Sequence, residues 1–144
     1  MKFSYTKFPA GGKFPSEIAD LPIIEITLET RRGTAMYHCL VDSGADYCYF
    51  HADVANAMGI KDIKKGKLKP TTGIVKGAAL EAYLHIISYK VGGWENKAEI
   101  AFSSELSVPY GILGRNGFFD YFKVEFNHPK KEIQLTPFEY TLHK

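Results

Sequence analysis

The sequence predicts an all-β fold. Apolar and polar residues alternate with period two in segment after segment, turn residues separate those segments at short intervals, and helical spacing appears only in two brief stretches. At 144 residues the chain can hide roughly 70% of the surface its unfolded form exposes, enough for one core with little room for a second. Residues 1–19 are expected to be an N-terminal arm and residues 20–144 one domain.

The elements follow in order. Met1 to Ala19 mix Pro9, Gly11, Gly12 and Pro15 with lysines and scattered aromatics, and no period is sustained. From Leu21 the text LPIIEITLET places Ile24, Ile26 and Leu28 on one face and Glu25, Thr27 and Glu29 on the other, as a half-buried strand requires. Thr30 to Thr34, containing Gly33, reads as a hairpin turn, and AMYHCLVD runs on as a second strand ending at Asp42. Tyr47 to Phe50 is a further short strand. His51 to Gly59 is the first helix, because Val54 and Met58 sit one turn apart and Gly59 falls just past the end. The five lysines between Lys61 and Lys69 are interleaved by neither arginine nor aromatic residues, so a solvated connector is favoured over a polyanion site. Thr71 to Gly77 reads as a hairpin with glycine at its tip, and the strand after it is expected to bury Leu80, Ala82, Leu84 and Ile86 on one face. Gly92 and Gly93 turn the chain into a strand carrying Ala98, Ile100 and Phe102. A short apolar strand then breaks at Gly114 and leads into about one helical turn. FKVEF, NHPKK and EIQLT make a closing hairpin.

Composition excludes several classes. With 45% hydrophobic and 24% charged residues the chain is not disordered, and a net charge of +2 supplies no field to recruit nucleic acid or an anionic membrane, so neither is expected as a partner. Cys39 and Cys48 are too few for a secreted disulfide framework, and the first residues hold no apolar run resembling a signal peptide. A cytoplasmic location is expected. No stretch approaches about 18 consecutive apolar residues.

Chemistry concentrates at Leu40-Val41-Asp42-Ser43-Gly44-Ala45, where an apolar β-run delivers a carboxylate into a Ser-Gly turn. Strand interiors avoid Asp, and Gly lets backbone donors approach a carboxylate closely. Taken alone, Asp-Ser-Gly is also a common turn sequence. About 70 residues later comes Tyr110-Gly111-Ile112-Leu113-Gly114-Arg115. VDSGA followed by ILGRNGFF resembles the retropepsin-like aspartic proteases, whose catalytic turn is Asp-Thr/Ser-Gly-Ala and whose second signature is two apolar residues, Gly and often Arg, with a glycine-tipped flap between them. The resemblance runs from about Ile23 to Thr136.

It implies a single acid-protease lobe with a flap hairpin and two short helices. Asp42 would be the catalytic carboxylate, and Ser43 the hydroxyl locking two catalytic turns together. Gly44 would accept substrate backbone, with Ala45 completing the turn. Thr72, Gly73, Ile74, Val75, Lys76 and Gly77 would form the flap. Ile112, Leu113 and Gly114 would pack beneath the turn, and Arg115 would anchor the region through Asp46. Two departures stand out, a longer C-terminal hairpin and a flap reading GIVKG; Ser in place of Thr at position 43 is within the family's range and costs only a methyl.

Peptide hydrolysis of this kind needs one group to deprotonate water and another to protonate the substrate carbonyl, so two carboxyls must share one proton. The chain holds one Asp-Ser-Gly and is too short for two lobes. A homodimer is therefore expected to build the dyad on its twofold axis and to act on an extended peptide or unfolded protein, with no metal and no cofactor. Rival readings remain: a non-catalytic peptide-binding module of the same fold, or self-processing with the arm as substrate. A zinc cluster or nucleophilic pair from His38, Cys39, Cys48 and His51 has the wrong spacing, and the cysteines read as small core residues.

Overall fold

The computed structural model describes residues 1–9, 18–71 and 80–138. Its strands are β1 (Lys2–Ser4), β2 (Thr6–Pro9), β3 (Ile18–Leu21), β4 (Ile23–Thr30), β5 (Gly33–Val41), β6 (Cys48–His51), β7 (Lys67–Thr71), β8 (Leu80–Val91), β9 (Trp94–Ser103), β10 (Gly111–Leu113), β11 (Phe122–Asn127) and β12 (Glu132–Pro137). Helix α1 (Ala52–Ala57) and a 3-10 turn (Ile63–Lys65) are the two helical elements among the described residues. No helix there is long and apolar enough to cross a membrane.

The main sheet closes on itself. Its order β4-β5-β10-β6-β9-β8 returns to β4 through Thr27↔Lys90, Leu28↔Tyr89 and Glu29↔Ser88, and β7 adds to the outer edge of β8. Closure leaves the barrel strands themselves without free edges. Strand β10 lies parallel to β5 and antiparallel to β6, so it is wedged between the two strands that the Asp42 turn connects. Inside are Ile24, Ile26, Leu28, Cys39, Phe50, Ile100 and Phe102, all nearly inaccessible to solvent.

The expected closing hairpin is present as β11 and β12, and its buried Phe122, Ile133 and Leu135 join the same core. Trp94 meets Phe122 edge-on at 4.4 Å between ring centres, and the Tyr89 hydroxyl donates to the Gly117 carbonyl at 2.6 Å. Aromatic pairs and a satisfied buried phenol hold the turn after Gly114 against the barrel. That turn is not the helical one expected. Phe119 N–H donates to the Gly114 carbonyl and Asp120 N–H to the Arg115 carbonyl, five residues back each time, a wider loop than an α-helix closes.

Two further differences have physical reasons. Within the expected arm, β1 pairs with β12 and β2 pairs with β3, while the Met1 amine donates to the Leu135 carbonyl at 2.8 Å. Strands of three and four residues are too short to show a period. Ile86, expected to share a buried face with Leu80, Ala82 and Leu84, is instead 73% exposed. Strand β8 buries Ala82 and Leu84 on one face and Ile87, Tyr89 and Val91 on the other, although its pairing with β9 runs unbroken from Tyr83↔Phe102 to Val91↔Trp94. The first face packs on Tyr49 and Ala101 outside the barrel, and the second faces the barrel core. Ile86 lies beyond the end of that outer cluster.

Candidate active site

Strand β5 buries Cys39 and Val41 and carries the chain to Asp42, which is half-buried, while Ser43 and Gly44 are exposed. The strand beneath fixes the height of the turn: Asp42 N–H donates to the Leu113 carbonyl at 3.0 Å, extending the Leu40↔Ile112 and Val41↔Leu113 pairing. Within the turn, Ala45 N–H donates to the Asp42 carbonyl at 3.2 Å and Gly44 N–H donates to Asp42 Oδ1 at 2.9 Å. The carboxylate is thus oriented by its own backbone, the arrangement Asp makes readily in turns. A Cβ on Gly44 would stand 3.1 Å from Asp42 Oδ1, so a side chain there would crowd the oriented oxygen.

Ile112 and Leu113 pair with Leu40 and Val41 just ahead of the turn, and Gly114 follows them. Gly114 is demanded sterically, since a Cβ would come within 2.1 Å of the Tyr47 carbonyl oxygen and 2.8 Å of that of Ala45. This close approach lets Arg115 N–H reach the Ala45 carbonyl at 2.9 Å and Asn116 N–H reach the Asp46 carbonyl at 2.8 Å. Asn116 Nδ2 donates to that same carbonyl at 2.7 Å. The two signature segments are therefore bonded to each other along the backbone.

The expected pairing of Asp46 with Arg115 is not formed. Arg115 Nη1 donates to the Ser43 carbonyl at 2.9 Å, bracing the turn through its backbone. Asp46 Oδ1 accepts from Tyr47 N–H and from the Tyr49 hydroxyl, and Oδ2 accepts from Lys69 Nζ, so both its oxygens are engaged by Tyr47, by Tyr49 of β6 and by Lys69 of β7. Burial pushes the Asp46 carboxyl up, but the Lys69 ammonium and the Tyr49 hydroxyl outweigh it and hold the group below the usual carboxylate range. Burial and donation to Asp46 push the Tyr49 phenol well above its ordinary value. Lys69 also sits over the Tyr47 ring, 4.6 Å from its centre.

Beside the turn, Tyr49, Ala82, Leu84 and Ala101 form a buried cluster outside the barrel, with Ala45, Tyr47, Leu80, Leu106 and Ile112 packed against it. An apolar wall therefore adjoins the oriented carboxylate. The expected flap, Thr72 to Gly77, lies outside the described residues; β7 and β8, which flank it, pair as far as Thr71↔Leu80.

The cysteine and histidine candidates have other roles. Cys39 and Cys48 are buried free thiols, and burial pushes Cys39 well up and Cys48 up to about 12, which suits core residues and not nucleophiles. His51 caps α1, accepting from Asp53 N–H at 3.0 Å. No group of three or more His, Cys, Asp or Glu side chains is close enough to hold a metal among the described residues. Sequence reasoning missed Tyr47, Tyr49, Lys69 and Asn116. Only Asn116, next to Arg115 in the second signature, carried a signal of position.

No protein-family model matches the sequence, and no curated protein does. Among solved structures, a retropepsin-like aspartic protease from Rickettsia conorii superposes with a TM-score of 0.60 at 16% identity, over 94% of this chain and 89% of that one. The EIAV protease complexed with the inhibitor HBY-793 gives a TM-score of 0.48 at 22% identity, over 66% of this chain and 82% of that one. The first of these likenesses shows that the chain has the single-lobe retropepsin-like fold expected from its two signatures.

Proposed function

We propose that the chain is an aspartic endopeptidase that hydrolyses extended peptide segments with water activated between two Asp42 carboxyls, one from each subunit of a homodimer. The observation carrying this reading is the placement of Asp42 on a retropepsin-like fold, at an exposed turn, with Oδ1 oriented by Gly44 N–H and an apolar wall alongside. One carboxyl cannot act as both base and acid in a single step. Two at close range cannot both ionise, so the pair retains one proton and offers the base and the acid together. Water attacks the scissile carbonyl as one carboxylate takes its proton and the partner carboxyl gives a proton to the carbonyl oxygen, leaving a tetrahedral diol; the diol then collapses as the first carboxyl passes its proton to the amide nitrogen, the C–N bond breaks, and a diol hydroxyl returns a proton to the partner carboxylate. No covalent intermediate forms.

In this scheme Ser43 stands where the partner's turn would meet it, and Ile112, Tyr47 and Leu80 offer apolar surface to substrate side chains. The segment Thr72 to Gly77 closes over the bound peptide, and main-chain bonding to an extended substrate supplies the affinity. Ser43, Ala45, Asp46, Leu113, Gly114 and Arg115 support the turn without touching the reacting atoms. A cytoplasmic location remains part of the proposal.

The test is cleavage of an unstructured protein by wild type and by Asp42→Asn, with and without pepstatin, alongside thermal melting. Wild type should cleave and be inhibited, while the variant, isosteric and still folded, should be inactive. Full activity in a folded Asp42→Asn protein eliminates the proposal. A folded wild type that binds the unstructured protein without cutting it establishes the peptide-binding alternative.

A further inference from the structure

The lysine-rich segment has an unexpected neighbour. Strand β5 runs nine residues from the tip of the β4–β5 hairpin to Asp42, roughly 30 Å in extended chain. At the tip end, Arg31 and Arg32 form the hairpin turn and line, together with Lys61 and Lys65, an open cavity of about 430 Å³. In the sequence neither arginine nor aromatic residues interleave these lysines. The fold supplies two arginines.

The walls of this cavity are tied in place. Thr30 Oγ1 donates to the Met58 carbonyl at 2.6 Å and accepts from Arg32 N–H at 3.1 Å, fastening the hairpin tip to the end of α1. Gly59 has φ +88°, and a Cβ there would lie 2.5 Å from Arg32 Cβ, so the arginine stem lies flush on the glycine backbone. His85 Nε2 lies 2.7 Å from the Ile63 carbonyl oxygen, joining the 3-10 turn to β8.

Charge in the cavity is one-sided. Four permanent cations and the single carboxylate of Asp62 line the cavity, and Asp62 Oδ1 is engaged in accepting Lys64 N–H at 3.0 Å at the start of the 3-10 turn. Among the described residues, none of Arg31, Arg32, Lys61 and Lys65 has an ion-pair partner, whereas Lys2, Lys7 and Lys90 pair with Glu132, Asp20 and Glu29. Guanidinium forks match phosphate oxygens two at a time, and ammonium groups add point charge. No Phe, Tyr or Trp lines the cavity to stack bases, which disfavours single-stranded nucleic acid. The volume is that of a small-molecule site.

We propose that this cavity binds a compact polyphosphate, either inorganic tripolyphosphate or the triphosphate tail of a nucleotide. The full chain is titrated calorimetrically at constant ionic strength with tripolyphosphate, ATP and AMP, in wild type and in an Arg31→Gln/Lys65→Gln variant. Both substituted side chains are exposed, and Arg32 is left in place because its stem packs on Gly59. Tripolyphosphate should bind one per chain and at least about tenfold more tightly than AMP, and the variant should lose about tenfold while its melting temperature without ligand stays unchanged. ATP binding more tightly than tripolyphosphate would make the ligand a nucleotide; equal affinities would make it the inorganic chain. Equal affinity in wild type and variant overturns the proposal, as does binding that sulfate reproduces, or an RNA oligonucleotide that binds where tripolyphosphate does not.

Discussion

Asp46 illustrates how a single residue's partners follow from its oxygens. Its carboxylate accepts from Lys69, Tyr49 and the Tyr47 amide, while Arg115 serves the Ser43 carbonyl, so the two residues act on the Asp42 turn by separate routes. Losses from Asp46→Asn and Arg115→Ala should therefore add in a double-mutant cycle, to within about 0.5 kcal/mol, when read by melting. Coupling well beyond that would restore the direct pair. The Asp46 carboxyl titrates lower in the folded chain than in the unfolded one, so its stabilising effect is complete above the unfolded value, about 3.9, and fades as pH falls through the lower folded value. The stability gap between wild type and Asp46→Asn should accordingly be flat from pH 5 to 7 and close in acid. The Asp42-Ser43-Gly44 turn and the break at Gly114 were legible from residue order, because a carboxylate at a strand end and a glycine in an apolar run are local signals, whereas the meeting of the two segments came from the family resemblance and the bonds that join them were not foreseen. The engagement of Asp46 by Lys69 was not legible, since it brings a side chain of β7, separated from β6 in the sheet by β9 and β8, back to the turn before β6, which no spacing within either segment reveals.

Strand β8 carries the same lesson at the scale of an element. Period-two alternation identified the strand, yet alternation alone does not say which face is covered at each point along it. The outer cluster covers Ala82 and Leu84 and stops before Ile86, after which burial passes to Ile87 on the opposite face. Ile86→Thr should therefore change stability by no more than about 0.5 kcal/mol, whereas Leu84→Ala and Ile87→Ala should each cost about 2–5 kcal/mol, as judged by denaturant midpoints. A large loss at Ile86 would mean that the exposed face is covered in solution. The strands β4, β5, β9, β11 and β12 were readable because each holds one period over six residues or more. Strands β1 and β2 were not: they are as short as β6 and β10 but lack the apolar run that marked those two.

For the whole molecule, one lobe carries one Asp-Ser-Gly turn, and the proposed chemistry requires a second. The barrel places Asp42 at one end of β5 and the cationic cavity at the other, so the two proposed activities can be tested separately. The central claim is that each active site is assembled from two copies of this turn. The most direct measurement mixes wild type with Asp42→Asn at constant total protein, allows subunits to exchange, and follows cleavage of an unstructured substrate. If both carboxyls are needed, only dimers of two wild-type chains cut, and an equal mixture should retain about one quarter of the wild-type rate. Retention of about one half, with activity falling in simple proportion to the wild-type fraction, would show that each chain works alone and would contradict the shared dyad.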